Sequence, residues 1–291
     1  MAVVALGACQ RVAPAPLGSG PVRLDDAGKY VLGLVNRDRE QAGLGPVEWD
    51  DRAARAAQVH ALDMAGTGFT GHWGSDGSVP EERYTLAGGE DFVQENAACF
   101  FDGQPREIDP DAVFDPASLD RIQGAFTSEV PPNDGHRKNI LGPTHNRLGV
   151  GLAQPKGVSQ ACLVQEFVDD YGRFEPLPAE AKVGDVIRVR GEVTDEIEFG
   201  GVGIARIDPA APVPVADLVA RSTYQVPVPY VMYFPAGFKT PKPVQVDGPR
   251  FSIDVVLDDG RRPGRYEVSV WGKHPGSEAL VMVSLRTIVV R

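Results

Sequence analysis

The sequence is poor in cysteine and carries none of the compact catalytic signatures. Only Cys9, Cys99 and Cys162 occur among 291 residues, and no two form a CxxC pair. That excludes a zinc ribbon or a thioredoxin-type redox centre. HExxH, GxSxG and a P-loop are all missing, so the usual local routes to a protease, hydrolase or nucleotidase are closed. No run of 18 apolar residues exists to cross a bilayer as a helix. Positive charge is scarce in the first half. Residues 181–291 hold 14 basic and 13 acidic side chains, which leaves 15 and 27 for the first 180. A field of that sign repels phosphate backbones and argues against a nucleic-acid partner.

What is present suffices for one large or two ordinary domains. The chain is 42% hydrophobic and 24% charged, proportions that support a packed core rather than disorder. Its 33 glycines and 25 prolines point to many turns and strands. Cys9 follows Leu6-Gly7-Ala8 after a short apolar run, an arrangement that resembles a bacterial lipobox although no basic residue precedes it. The alternative is an apolar terminus without a packed role. If Cys9 is lipidated, it attaches the chain to a membrane, and Cys99 and Cys162 remain as an even pair for an oxidising compartment, either bonded or as two buried thiols. Residues 10–23, rich in Pro, Gly and Ala, read as a tether.

Structure is expected from Leu24. Asp25 or Asp26 caps a helix to about Ala42, with Val31, Leu34 and Val35 on one face and Gly43 as its stop. A second helix starts at Asp50/Asp51 and ends at Gly66, with a small face of Ala54, Ala57 and Ala61 suited to close packing. Residues 66–90 read as loop with a short helix at 80–84, and 115–129 as helix. Leu148–Ala153 and Ala161–Val168 form a β-hairpin turning at Pro155-Lys156-Gly157. After a linker at 173–183 the texture becomes alternating. Val186-Arg188-Arg190, Phe251-Ile253-Val255 and Tyr266-Val268-Val270 mark the short strands of an all-β sandwich at 184–291. Pro263-Gly264-Arg265-Tyr266 resembles the entry to a late strand of immunoglobulin-like domains.

Four ordered segments carry the strongest signal. They are Leu34-Val35-Asn36-Arg37 through Gly43-Leu44, Pro46-Val47 and Trp49-Asp50; Ala57, His60-Ala61 and Asp63-Met64 with Gly71-His72; Gln94-Glu95-Asn96-Ala97-Ala98; and Gly135-His136-Arg137-Lys138-Asn139-Ile140-Leu141 with Leu148-Gly149-Val150-Gly151. Together they resemble the bacterial branch of the CAP superfamily (cysteine-rich secretory, antigen 5 and pathogenesis-related proteins) over residues 24–172. The resemblance implies an α+β fold, an α-β-α sandwich, ahead of the all-β domain. It also implies a cleft lined by two histidines and two acidic residues. His72 and His136 match the histidines and Glu95 the first acid. Glu129 is the second, with Asp134 as the fallback.

Two imidazoles with one or two carboxylates suit an open divalent-cation site, zinc first. The alternative is that the four side chains bond one another and hold the loops over the cleft. His60 is expected to pack within its helix, His145 and His274 to lie at the surface, and Trp49 and Trp73 to pack. Three functions follow: an extracytoplasmic cell-envelope module binding a cation and a lipid or peptide, with an envelope partner for the sandwich; a zinc-dependent hydrolase or peptidase with Glu95 as general base; or a purely structural envelope protein.

Overall fold

A computed structural model of the chain describes residues 20–221 and 223–291. The expectations for Cys9 and the tether up to residue 19 lie outside the described residues.

The first helix, α1 (Leu24–Gln41), carries Asp25 and Asp26 in its first turn, where they complement the helix dipole, and buries Ala27, Val31, Leu34 and Val35 along one stripe. Gly43, at φ 76°, ends it as the sequence predicts. A two-residue strand β1 (Glu48–Trp49) leads to α2 (Asp51–Thr67). Asp50 caps α2 by accepting from the Arg52 and Ala53 N–H groups. The helix runs past Gly66 and stops at Gly68, which takes the left-handed conformation. Then come α3 (Pro80–Leu86), β2 (Phe92–Ala98), α4 (Pro116–Thr127), α5 (Gly135–Ile140), β3 (Arg147–Ala153) and β4 (Cys162–Asp169). The strands form one sheet in the order β1-β3-β4-β2, antiparallel except for the β1/β3 pair.

The two faces of β3 explain the three layers. Leu148, Val150 and Leu152 point into a core with Ala27, Val31 and Val35 of α1 and with Leu119 and Phe126 of α4. The intervening Gly149 and Gly151 face α2, which lies almost on the strand. A Cβ on Gly149 would fall 2.1 Å from Ala54 N, and one on Gly151 2.2 Å from the Ala57 carbonyl carbon. Alternation of large and absent side chains therefore seats helices on both sides of one strand. A disulfide joins Cys99, just after β2, to Cys162 at the start of β4. The pairing suits an oxidising, extracytoplasmic compartment.

The remaining strands are β5 (Gly172–Phe174), β6 (Glu180–Ala181), β7 (Val186–Val193), β8 (Glu198–Ile207), β9 (Val231–Tyr233), β10 (Gln245–Asp247), β11 (Arg250–Val256), β12 (Gly264–Lys273) and β13 (Val281–Val290), with a short α6 (Val215–Ala220) between β8 and β9. They make two sheets, β10-β11-β7-β5 and β6-β13-β12-β8-β9. These close over a core including Phe174, Val189, Val202, Ile253, Tyr266 and Ile288. The expected linker at 173–183 thus supplies two short strands. Phe174 is drawn in because it packs beside Phe251.

The halves meet through buried polar contacts. Arg265 of β12 pairs with Glu82 of α3 at 2.5 Å and donates to Gly77 O. The Leu285 N–H of β13 reaches Asp91 O.

Gly151→Ala should lower stability by about 1–3 kcal/mol, the usual cost of overpacking, read as a drop in the thermal midpoint. An unchanged midpoint would contradict the close α2–β3 contact.

Candidate functional site

The site is assembled from loops and helix ends around strand β2. His72 lies in the loop after α2, Glu95 in the middle of β2, Glu129 just after α4, and His136 at the second position of α5. All four line one cavity of about 450 Å³, together with Glu81, Gln94, Asn96, Asn133, Asn139 and Tyr224.

The carboxylates stand behind the histidines. His72 Nδ1 donates to Glu95 Oε1 at 2.9 Å. His136 Nδ1 donates to Glu129 Oε1 at 2.5 Å, and the His136 backbone N–H donates to Glu129 Oε2 at 2.9 Å. Because a carboxylate accepts at each Nδ1, the neutral form of each ring takes the Nδ1–H tautomer, in which Nε2 carries the free lone pair. Phe126 stacks on the His136 ring with centroids 4.3 Å apart and fixes its plane. Among the described residues, no group of three or more His, Cys, Asp or Glu stands in position to hold a metal ion. Asp134, the fallback acid, pairs instead with Lys138 at 2.8 Å.

Glu95 is buried and fully engaged. Its Oε2 accepts from Arg83 Nη2 at 2.7 Å, and His60 Nε2 lies 3.7 Å from Oε1. Burial opposes its charge, but His60, Arg83 and His72 more than offset burial and hold the carboxyl well below the usual range. Glu166, its register partner on β4, is buried beside it. Burial and the Glu95 charge push Glu166 well above the usual carboxylate range. His60, as expected, is internal. It donates to Gly71 O at 2.7 Å, and burial first, with Arg83 second, brings it down to about 4.

An amide relay carries order across the sheet. Asp38 on α1 accepts from Gln123, Gln123 from Gln165, and Gln165 from Asn96. Asn96 then donates to His136 O and accepts from Asn139. Arg39, buried in α1, donates to the Gly45, Ile140, Gly142 and His145 carbonyls and pins the end of α5.

Two histidines depart from expectation. His145 is buried, with Nδ1 bonded to Asp169 at 2.6 Å, because Arg39 gathers its backbone into the core. His274 is half-buried edge-on against Tyr171.

Two further contributors were not legible in the sequence. One is Glu81, buried on α3. Its carboxyl is pushed up to about 7 by burial, which outweighs the Tyr224 hydroxyl bonded to it. The only signal was a charged run, Glu81-Glu82-Arg83, that resembles a solvated face. The other is the β8–β9 connection of the sandwich, which crosses onto the first domain. Val213 N–H bonds Ser75 O, Leu218 enters the core beside Met64 and Phe69, and Tyr224 meets Trp73 edge-on at 5.5 Å. Thr223, Tyr224 and Val226 form one wall of the cavity. No local pattern could have announced a wall supplied from 130 residues downstream of β2.

A raised carboxyl stabilises the fold fully below its unfolded value near 4.5, and this contribution is lost as pH rises through the folded value. For Glu81 the loss falls between about pH 4.5 and 7, and for Asp91, which burial also raises to about 7, between about pH 3.8 and 7. The thermal midpoint should decline over that window, and Glu81→Gln should flatten the decline. Parallel wild-type and variant curves would contradict the assignment.

Residues 32–167 match the profile of the family described as CAP, the Cysteine-rich secretory protein family. Protein YkwD of Bacillus subtilis (strain 168), described as uncharacterized, is 26% identical over 159 residues, covering 52% of this chain and 50% of that one. The chain thus spans about half the length of the curated relative it matches. An extracellular SCP-domain protein of Bacillus anthracis str. Ames shows 22% identity and a TM-score of 0.38 over 50% of this chain and 41% of its own. The swine CD8αα homodimer shows 13% identity and a TM-score of 0.25 over 42% of this chain and 99% of its own. The family match lies on the elements that build the cleft: residues 32–167 form a CAP domain, and an all-β sandwich follows it.

Proposed function

We propose that this is an extracytoplasmic CAP-domain protein whose His/Glu cleft binds a ligand and offers a weak divalent-cation seat, zinc first, on the Nε2 atoms of His72 and His136. The observation that carries this reading is the repeated histidine–carboxylate pair. Each ring donates from Nδ1 to its own carboxylate, the outer-shell arrangement that orients an imidazole ligand and raises its basicity. Two nitrogens fit a borderline-soft cation that keeps water in its remaining positions. Bound there, the cation would supply a Lewis acid. Glu95 and Glu129 would hold the tautomers, and Tyr224 would shield one side.

Hydrolysis with Glu95 as general base has less support. Both its oxygens are taken by His72 and Arg83, and a carboxylate held so far below the usual range is a weak base. Glu81, near 7 and in the cleft wall, has the better-matched basicity. The disulfide supports extracytoplasmic placement. Attachment through a lipidated Cys9, and an envelope partner for the sandwich, belong to the same proposal.

Calorimetric titration of the whole chain with zinc tests the seat. Binding should weaken at least tenfold in His72→Ala and in His136→Ala, and about 10–100-fold in Glu129→Ala through loss of ring orientation. No heat at millimolar zinc, or binding indifferent to both histidines, would overturn it.

A further inference from the structure

Strand β2 is the last strand of its sheet, so one edge of it has no strand partner. Along a strand, the N–H and C=O of one residue point to one side and those of the next to the other. Three contacts identify the outward-pointing set. Asp91 C=O, just before β2, accepts from Leu285 N–H at 3.3 Å. Glu95 C=O accepts from Asn139 Nδ2 at 3.1 Å. Cys99 N–H, just after β2, donates to Thr70 Oγ1 at 3.1 Å. The odd-numbered residues therefore present their main chain away from β4.

Between these capped positions lie the N–H and C=O of Val93 and the N–H of Glu95, with no partner among the described residues. Both residues line the His/Glu cavity, and Ala97, the next outward residue, does not. The stretch of edge left open is thus the stretch that forms the floor of the cleft. Its surroundings are amide-rich: Gln94, Asn96, Asn133 and Asn139 all line the same space. Main-chain groups in a largely buried strand need partners.

We propose that the occupant of the cleft is an extended peptide that adds as a strand to the outer edge of β2. This rests on reading the cleft as a ligand site and names the class of ligand. One peptide residue exchanges two main-chain hydrogen bonds with Val93, and the carbonyl of a residue two positions away accepts from Glu95 N–H. Strand addition draws its affinity from main-chain hydrogen bonds and its selectivity from alternate side chains. Here the alternate side chains meet His72 and Tyr224 on one wall and His136 on the other. An acyl chain would desolvate the Val93 and Glu95 groups without replacing their bonds, so a lipid is disfavoured.

The test uses the whole chain and an immobilised library of random heptapeptides with acetylated and amidated ends, with and without zinc. Retained sequences are then N-methylated one residue at a time. Affinity should fall tenfold or more when alternate residues are methylated and change little at the residues between. Amide exchange at Val93 and Glu95 should slow on binding. Failure to retain any heptapeptide at millimolar concentration, uniform tolerance of methylation, or capture of palmitate but no peptide would each overturn the proposal. The zinc titration separates the two readings. Zinc binding without peptide retention overturns strand addition alone. Alternate-residue peptide binding together with no heat at millimolar zinc overturns the cation seat and leaves the peptide site standing.

Discussion

A carboxylate removed from water must be matched by charge and hydrogen bonds, and Glu95 gathers the cleft around that requirement. Arg83 comes from α3, His72 from the loop after α2, and His60 from within α2, each reaching the same buried side chain. Burial and the neighbouring Glu95 charge raise Glu166, while His60 and Arg83 lower Glu95. Arg83 also donates to His72 O at 3.1 Å, so one cation fixes both the carboxylate and the loop that presents the imidazole. The His136 side repeats the device with lighter means: Glu129 receives both the ring and the backbone N–H that opens α5.

That arrangement depends on packing set elsewhere. With Gly149 and Gly151 letting α2 approach β3 to backbone contact, His60 and the loop carrying His72 come within reach of β2. The second domain then completes what the first begins. Arg265 neutralises Glu82 on the helix that carries Arg83, and Tyr224 bonds Glu81 on that same helix. The sandwich is therefore built into the cleft through α3, and its β8–β9 connection makes part of the wall.

The sequence made much of this readable where the determinants were local. Caps and stops at Asp50 and Gly43, the hairpin of β3 and β4, and alternation in β7, β11 and β12 all depend on near neighbours. His72, His136, Glu95 and Glu129 emerged from ordered motifs, and the folded chain brings them to one cavity. Their division of labour was not readable, because which ring nitrogen meets which carboxylate depends on loop geometry. Glu81 and Arg83 resembled surface charge because burying them requires partners from β2 and from residue 224. His145 was misplaced for a similar reason: the cation that draws in its backbone, Arg39, lies 106 residues away.

The central claim is that His72 and His136 are both held through Nδ1 and present an unprotonated Nε2 to the cleft. Long-range ¹H–¹⁵N correlation spectra of the imidazole rings at alkaline pH read this directly. The account predicts the Nδ1–H tautomer for His72 and His136, and the Nε2–H tautomer for His60, whose Nε2 donates to Gly71. Nε2–H tautomers at His72 and His136 would contradict it.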